Sequence, residues 1–488
     1  MTDFDLRLLP GWIALLLLAG SCAPPPPPAP EPFGPLPSEA QLEWHAMETN
    51  AFIHFTTNTF TDLEWGYGDE RPEIFDPTEL DVDQWMSTLR DAGFRGVILT
   101  SKHHDGFTLW PSAHTDHSVE QSPWENGQGD IVGLVEESAR AHGMKFGVYL
   151  SPWDRNHANY GDSTYITYYR NQLRELFENY GPIFEMWFDG ANGGDGHYGG
   201  ADERRSIDGQ HYYDWPTTIA MVRELQPEPH TIIFSDAGPD IRWVGNERGV
   251  AGEPNWNTID PDTLYAGKAG ITELLNQGTA GADTWMPAEV DVSIRPGWFY
   301  HPREDSLVKT PQQLFDIYLT SVGRGSVLLL NIPPDRRGRI HERDVASLRA
   351  WRTMIDSTFA DDLAAAATAR GEAYLGMHDD YAPARVLDDD PDTYWATEAD
   401  TTAGSLSLTL TAPAEIGYVT LQEPIRLGQR VSAFRVLAEV DGAVREIGSG
   451  HTIGYKRILP VERVTTDRIV IEITEALAPP LLSRVSVY

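Results

Sequence analysis

The clearest chemical candidate in the sequence is an aspartate that directly follows an apolar run. Residues 183–188 read Ile-Phe-Glu-Met-Trp-Phe, Asp189 follows them, and Gly190 begins a glycine-rich loop. This order is typical of a buried strand that ends on an acid, and in a barrel of parallel strands such residues face the active-site mouth. An aspartate before glycine is also common in ordinary turns. The other segments of the chain favour the first interpretation, a nucleophilic carboxylate.

Polar and aromatic residues recur just after the other predicted strands. Since the strand ends of a barrel converge on one mouth, we expect these side chains to lie together. Aromatic rings, imidazoles and carboxylates suit a hydroxyl-rich, partly apolar ring, because hydrogen bonds orient such a ligand and stacking holds it. The candidates are His54, Glu64, Trp65, His103, His104 and Tyr149.

Cleavage of a glycosidic bond requires a second carboxyl group beside the first. Glu247 is the best candidate, because it follows the short apolar run Trp243-Val244 within a glycine-rich loop. Glu253 and Glu289 are alternatives, and Glu64 could also reach the site. A surface ion pair is the other interpretation of Glu247.

A metal-dependent hydrolase is a rival hypothesis. It would use His54, His103, His104 and Asp105. Adjacent histidines on an extended segment point in opposite directions, so one ion would rarely bind both. The sequence also has no His-x-His or His-Glu-x-x-His spacing. We therefore expect neither a catalytic metal nor a cofactor.

The elements that position these residues alternate between apolar strands and amphipathic helices. Such alternation predicts parallel βα units, and hence an α/β fold with a (β/α)8-like barrel, in which some helices can be missing, over residues 41–360. The predicted strands are 51–55, 96–100, 145–150, 183–188, 231–234 and 327–331, and the predicted helices are 82–92, 131–142 and 163–180.

The pattern changes near residue 361. Residues 361–370 are alanine-rich and predict a linker or a terminal helix. Beyond them, short alternating runs such as 405–410 and 468–473 are typical of antiparallel strands with polar turns. We therefore predict a C-terminal β-sandwich over residues 361–488.

Composition and the N-terminus indicate location and partners. The net charge is −36, which disfavours nucleic acid and anionic membranes as partners. Residues 1–22 resemble a lipoprotein signal that ends at Cys22, the only cysteine, and residues 23–40 form a proline-rich linker. We expect an exported bacterial protein, periplasmic or held on the outer membrane by lipid at Cys22. An ordinary secretory signal is the alternative, and the sequence does not indicate the oligomeric state.

Several of these segments together resemble the α-L-fucosidases of glycoside hydrolase family 29. The matching segments are Ala-Phe-Ile-His-Phe at 51–55, Glu-Trp at 64–65, Lys-His-His-Asp-Gly-Phe at 102–107, Gly-Val-Tyr-Leu-Ser-Pro-Trp at 147–153 and Met-Trp-Phe-Asp-Gly at 186–190. The resemblance implies a retaining hydrolase that acts on a fucosylated oligosaccharide. It also implies that Asp189 is the nucleophile and that fucose is held by His54, Glu64, Trp65, His103, His104, Tyr149 and Trp187.

Two further segments, 238–247 and 291–301, resemble the branch that prefers α-1,3- or α-1,4-linked fucose. That resemblance makes Glu247 the acid/base and places Arg295 and Trp298 at the sugar. Segments 385–388 and 392–395 resemble a discoidin-type, galactose-binding-like sandwich, and whether it binds sugar is open. The remaining alternatives are a non-catalytic glycan-binding lipoprotein and a barrel glycosidase with another sugar preference.

Overall fold

The computed structural model describes residues 27–488, so the predicted signal segment and Cys22 lie outside the described residues. Eight parallel strands form a closed barrel in which each strand pairs with its neighbours in sequence and the last pairs with the first. The strands are β1 Thr49–Ile53, β2 Gly96–Lys102, β3 Lys145–Leu150, β4 Glu185–Trp187, β5 Ile232–Ser235, β6 Ile241–Trp243, β7 Ala288–Ser293 and β8 Val327–Asn331.

Helices surround the barrel and connect most of its strands. Between β5 and β6 there is no helix, and residues 236–240 alone join these two parallel strands. The prediction of a barrel with a missing helix is therefore confirmed. The helices are α1 Glu39–Met47, α2 Thr57–Thr61, α3 Val82–Asp91, α4 Ile131–Ala141, α5 Ser163–Asn179, α6 Trp215–Leu225, α7 Thr272–Gln277, α8 Pro311–Thr320 and α9 Glu342–Thr358.

Local sequence explains where several helices begin. Asp81 and Asp130 accept hydrogen bonds from the backbone of the first turns of α3 and α4. Thr310 forms a capping box at α8, which also has proline at its first position, where the missing N–H has no partner to lose. These caps fix the orientation of the helices that cover the outer face of the strands.

Side-chain alternation along the strands determines what faces the barrel interior. Successive residues of a strand point to opposite faces, so Glu185, Trp187 and Asp189 share the inner face. Phe52 and His54 follow the same pattern at β1. The interior core is unusually aromatic and is formed by Trp44, Phe52, Ile98, Tyr149, Trp187, Ile232, Phe234, Ile241, Val327 and Leu329.

The C-terminal part consists of antiparallel sheets, which is consistent with the predicted sandwich. Its strands are β9 Thr368–Arg370, β10 Trp395–Ala396, β11 Gly404–Gln422, β12 Val431–Val440, β13 Ala443–Gly450, β14 Arg457–Ala476, β15 Leu481–Leu482 and β16 Arg484–Val487. The main sheet has the order β9-β11-β14-β12-β13, with β16 added to β11, while β10 pairs with β15. Residues 361–370 do not form the terminal helix offered as one alternative, because Ala364 packs in the sheet core and β9 pairs with β11.

Minor elements complete the chain. Two short ladders join Gly194–Gly196 with Glu203–Arg205 and Thr258–Ile259 with Thr284–Trp285. The single turns of 3-10 helix are Pro72–Ile74, Val119–Gln121, Trp124–Gly127, Tyr198–Gly200, Pro261–Thr263, Pro302–Glu304, Leu375–Met377, Asp379–Tyr381, Pro383–Leu387 and Ile425–Leu427. Within residues 27–488, no helix has the length and apolar character needed to cross a membrane.

The described part of the proline-rich segment lies on the C-terminal sheets. The Phe33 amide donates to the Leu427 carbonyl at 3.0 Å, and Arg430 donates to the Glu31 carbonyl at 2.6 Å. From residue 27 onward, these two hydrogen bonds attach the proline-rich linker to the C-terminal part of the protein. Its docked course ends at Ser38, which caps α1.

Candidate active site

A cavity of about 240 Å³ opens at the carboxyl ends of the barrel strands. It combines acids, imidazoles and aromatic rings in one place, as the recurrence along the sequence predicts. Its walls are formed by Phe52, His54, Trp65, His103, His104, Tyr149, Trp187, Asp189, Gly190, Ala191, Asp236, Trp243, Glu247, Asp291 and Trp298.

Asp189 lies two residues beyond the end of β4, and hydrogen bonds orient both of its carboxylate oxygens. The Tyr149 hydroxyl donates to Oδ2 at 2.8 Å, and the Ala191 amide donates to Oδ1 at 2.7 Å. The side chain keeps 24% of its surface exposed, so a ligand can reach it. Gly190 leaves room beside it for Asp236, because a Cβ at position 190 would lie 1.9 Å from Oδ2 of Asp236.

Glu247 lies in the loop after β6 and borders the same cavity. Its Oε2 receives a hydrogen bond from the Trp298 indole at 3.4 Å. Burial raises the pKa of Glu247, and the charges of Asp189 and Glu64 add to this shift. The loop is fixed by Gly245, whose φ of +79° suits glycine and whose Cβ position lies 2.5 Å from the Thr272 carbonyl.

The two acids therefore have different environments. Asp189 accepts hydrogen bonds from the Tyr149 hydroxyl and the Ala191 amide, whereas burial raises the pKa of Glu247 and so favours its protonated form. Two carboxyl groups in such different surroundings can serve as one nucleophile and one general acid.

The three histidines of the cavity are uncharged at neutral pH. Burial lowers the pKa of His54 to about 3 and that of His104 to about 4, and it lowers the pKa of His103 well below its ordinary value. Neutral imidazoles provide one hydrogen-bond donor and one acceptor each. They can therefore bind hydroxyl groups without adding charge beside Asp189.

Aromatic rings form the floor and rim. Trp187 stacks on Phe234 at 4.0 Å between ring centroids and faces Tyr149 at 5.5 Å. Its indole N–H donates to Oε1 of Glu289 at 3.0 Å, which holds the ring from below. At the rim, Trp65 has 49% of its surface exposed and is available for stacking with a ligand.

Two of the predicted sugar-binding residues do not line the cavity. The carboxylate of Glu64 accepts hydrogen bonds from the Trp298 amide and from His301 Nε2, the latter at 2.8 Å. Arg295 is fully buried and pairs with Asp344 at 2.9 Å and Asp305 at 3.0 Å, so it supports the loop that carries Trp298. Its placement differs from the expectation because these two carboxylates hold its guanidinium away from the mouth.

The alternative acids also lie elsewhere. Oε2 of Glu253 is 2.6 Å from Arg457, where the barrel meets the C-terminal sheets. Glu289 is buried inside the barrel under Trp187. Of these three glutamates, Glu247 alone is a wall residue of the cavity.

The cavity also contains acids and rings that the sequence reasoning did not assign to the site. Asp236 accepts a hydrogen bond from the Gly267 amide at 2.8 Å, and burial raises its pKa to about 6. Asp291 accepts from the Trp243 indole at 2.8 Å, and burial raises its pKa well above the ordinary value. Strand alternation could have found Asp291, two residues beyond Glu289, if β7 had been recognised.

Metal-ligating side chains are not grouped in the described part of the chain. Within residues 27–488, no three His, Cys, Asp or Glu side chains are arranged to hold a metal ion. Asp105, which the rival hypothesis would use, accepts hydrogen bonds from Thr56 at 2.6 Å and Thr57 at 3.0 Å instead.

Comparisons with known proteins agree with this geometry. The sequence model of the Alpha-L-fucosidase family matches residues 34–354. The chain is 40% identical to Alpha-L-fucosidase 1 of Arabidopsis thaliana over 94% of this chain and 88% of the relative. A solved glycoside hydrolase 29 family member from an unknown rumen bacterium has a TM-score of 0.84 at 42% identity, covering 94% and 78% of the two chains. A Ruminococcus gnavus GH29 fucosidase in complex with fucose has a TM-score of 0.84 at 31% identity, covering 95% and 96%.

Proposed function

Since this chain belongs to the α-L-fucosidase family, glycoside hydrolase family 29, and is an α-L-fucosidase, we propose that it acts with retention of configuration. Its proposed substrates carry terminal α-1,3- or α-1,4-linked fucose on oligosaccharides or glycoconjugates. One observation supports the mechanism above all: Asp189 and Glu247 border the same cavity, and burial there raises the pKa of Glu247.

In the first step, an oxygen of Asp189 bonds to C1 of fucose while the bond from C1 to the leaving oxygen breaks. Glu247 donates its proton to that oxygen. In the second step, Glu247 removes a proton from water, whose oxygen bonds to C1 as the bond to Asp189 breaks. Both carboxyl groups return to their starting states, and the two inversions together give retention.

The other cavity residues would bind the sugar. We assign the hydroxyl groups of fucose to His54, His103 and His104, and the C6 methyl group to the aromatic floor around Trp187 and Tyr149. Trp65 and Trp298 close the rim. Glu64 and Arg295 act indirectly in this proposal, since both hold the backbone that carries Trp298.

Linkage preference and stereochemistry can be tested in one experiment. Purified enzyme is supplied with 3- or 4-fucosylated trisaccharides and with 2-fucosylated ones, and the first fucose anomer released is followed by NMR. We expect faster release from the 3- and 4-linked substrates and α-fucose as the first product. Faster release from 2-linked substrates would contradict the linkage proposal, and β-fucose as the first product would contradict the mechanism.

We also propose that the protein is exported and anchored through lipid at Cys22 in a bacterial envelope. The signal-like residues 1–22 support this, and the docked segment from residue 27 would then place the C-terminal sheets close to the anchor. Labelling with a fatty-acid analogue should mark the wild-type chain and leave Cys22→Ala unmarked. Equal labelling of both chains, or of neither, would contradict the anchor.

A further inference from the structure

The histidines of the cavity differ in how their inner ring nitrogens are held. His104 Nδ1 lies 2.7 Å from Oγ of Ser151, and His54 Nδ1 lies 2.8 Å from Oδ1 of Asn331. In both cases Nδ1 is used within the protein and Nε2 is left for a ligand. A neutral imidazole has one proton, so the role of Nδ1 determines whether Nε2 donates or accepts.

Ser151 determines the position of the proton on His104. Its hydroxyl group has a single hydrogen, and its Oγ lies 2.6 Å from the backbone carbonyl of Trp153, which can only accept. That hydrogen must point to the carbonyl, since two oxygen lone pairs at this distance would otherwise repel. Oγ of Ser151 is then an acceptor for His104, so Nδ1 carries the proton.

Asn331 determines the proton position on His54 by the same logic. Its Nδ2 lies 2.8 Å from the Trp298 carbonyl, so the amide nitrogen must face that acceptor, and it also donates to Ser293 Oγ at 2.9 Å. Oδ1 of Asn331 is therefore the atom that faces His54. Because Oδ1 only accepts, Nδ1 of His54 carries the proton.

We propose that Ser151 and Asn331 are positioning residues that hold both histidines in the Nδ1-protonated form, so that two accepting Nε2 atoms face the sugar. His104 Nε2 lies 3.9 Å from Asp189, which places one of these acceptors beside the nucleophile. The sugar must then supply hydroxyl donors at both places. The inference rests on the proposed seating of fucose in this cavity.

The arrangement determines specificity against groups that accept without donating. A hydroxyl group bound by an accepting Nε2 can be replaced by neither hydrogen nor fluorine, because fluorine has no proton to give. If Nε2 carried a proton, fluorine would retain part of the interaction that hydrogen loses. Deoxy and deoxyfluoro analogues therefore distinguish the two tautomers.

The direct test is neutron diffraction from crystals of the unliganded enzyme exchanged into heavy water. We expect deuterium on Nδ1 of His54 and His104 and none on Nε2. Deuterium on Nε2 of either ring, alone or with Nδ1, would overturn the proposal. This measurement needs no substrate, so its outcome is independent of the proposed function.

The functional test compares Ser151→Ala with Ser101→Ala as the matched control. Both serines are fully buried, but Ser101 donates only to the backbone carbonyl of Leu99. Inhibition is measured with an iminosugar analogue of fucose and with its deoxy and deoxyfluoro derivatives at each hydroxyl position. We expect Ser151→Ala to bind the parent inhibitor about three- to tenfold more weakly, the loss of one hydrogen bond, and Ser101→Ala to match wild type.

The pattern across derivatives separates positioning from a merely structural effect. In wild type, at two hydroxyl positions, we expect the deoxyfluoro inhibitor to bind as weakly as the deoxy inhibitor. In Ser151→Ala, His104 is free to change tautomer, so at one of these two positions the deoxyfluoro inhibitor should bind more tightly than the deoxy inhibitor. Equal weakening of every derivative would overturn the positioning role. Failure of the parent inhibitor to bind wild type would count against the proposed function instead.

Discussion

Replacement of Glu247 gives the most informative perturbation of this site. Glu247→Ala removes the carboxyl group that is proposed to protonate the leaving oxygen and later to deprotonate water. General acid–base catalysis contributes about 10²- to 10⁴-fold. At 1.36 kcal/mol per tenfold, this corresponds to about 3–5 kcal/mol of transition-state stabilisation. Burial, and after it the charges of Asp189 and Glu64, raise the pKa of Glu247, which favours the protonated form that the first step requires.

The loss should depend on the leaving group. A good leaving group such as dinitrophenolate needs no proton, so the first step should be almost unaffected, and the intermediate on Asp189 should accumulate as a burst. A sugar leaving group needs the proton, so oligosaccharide hydrolysis should fall by the full factor. Steady-state and stopped-flow assays on both substrate types measure this difference.

Azide provides the stereochemical control. In Glu247→Ala, azide should attack the intermediate from the face that the leaving group vacated and give α-fucosyl azide. In Asp189→Ala, azide should occupy the space of the missing carboxylate and give β-fucosyl azide. Glu253→Ala and Glu289→Ala should give neither product, since Glu253 pairs with Arg457 and Glu289 lies beneath Trp187. Wild-type rates in Glu247→Ala on oligosaccharides, or azide products from either control, would refute the reasoning.

Three further outcomes follow from the contacts around the site. Trp298→Phe removes the hydrogen-bond donor to Glu247, so the pKa of Glu247 should rise and the alkaline limb of the kcat/KM profile should move to higher pH. An alkaline limb that stays at the same pH or moves to lower pH would show that Trp298 does not donate to Glu247. Burial raises the pKa of Glu185 to about 8 and that of its neighbour Glu289 well above its ordinary value, so the fold retains protons that the unfolded chain loses near pH 4.5. The free energy of unfolding should therefore fall between about pH 4.5 and about pH 8 by about 1.4 kcal/mol per pH unit for each retained proton. Urea titrations at several pH values should show a weaker dependence of this free energy on pH in the Glu185→Gln/Glu289→Gln double variant. Lys102→Met leaves Asp154 buried without its partner at 3.2 Å and should cost about 3–5 kcal/mol, with recovery in Lys102→Met/Asp154→Asn; an unchanged melting temperature for the single variant would contradict this.

Sequence reasoning was most successful where local pattern and fold agree. The runs at 145–150 and 327–331 match β3 and β8 in both bounds, because each is a continuous apolar strand buried within the barrel wall. The apolar run before Asp189 likewise becomes β4, although the strand itself is shorter, at Glu185–Trp187.

The strands that were not predicted are those that bury polar or charged side chains. β7 reads Ala-Glu-Val-Asp-Val-Ser and buries Glu289 and Asp291, which is contrary to the usual preference of buried strands for apolar residues. β6 is only three residues long and buries Arg242. Such residues are buried because tertiary partners satisfy them, and single-sequence patterns contain no information on those partners.

The same limit explains Arg295 and Glu64. Each occurs in a motif that resembles a sugar-binding segment, but the direction of a side chain depends on which partner is nearest. Asp344 on α9 determines the direction of Arg295, and His301 determines that of Glu64. Each partner lies far in sequence from the residue that it holds. The residue types could be predicted as part of the site, whereas their contacts with other loops could not.

The central claim is that Asp189 bonds covalently to C1 of the sugar. Incubation with 2-deoxy-2-fluoro-fucosyl fluoride should slow the second step and raise the protein's mass by one fluorofucosyl group. Peptide mapping of the inactivated enzyme should locate that group on Asp189. Inactivation with the label on another side chain, or an unlabelled and fully active enzyme, would contradict the account.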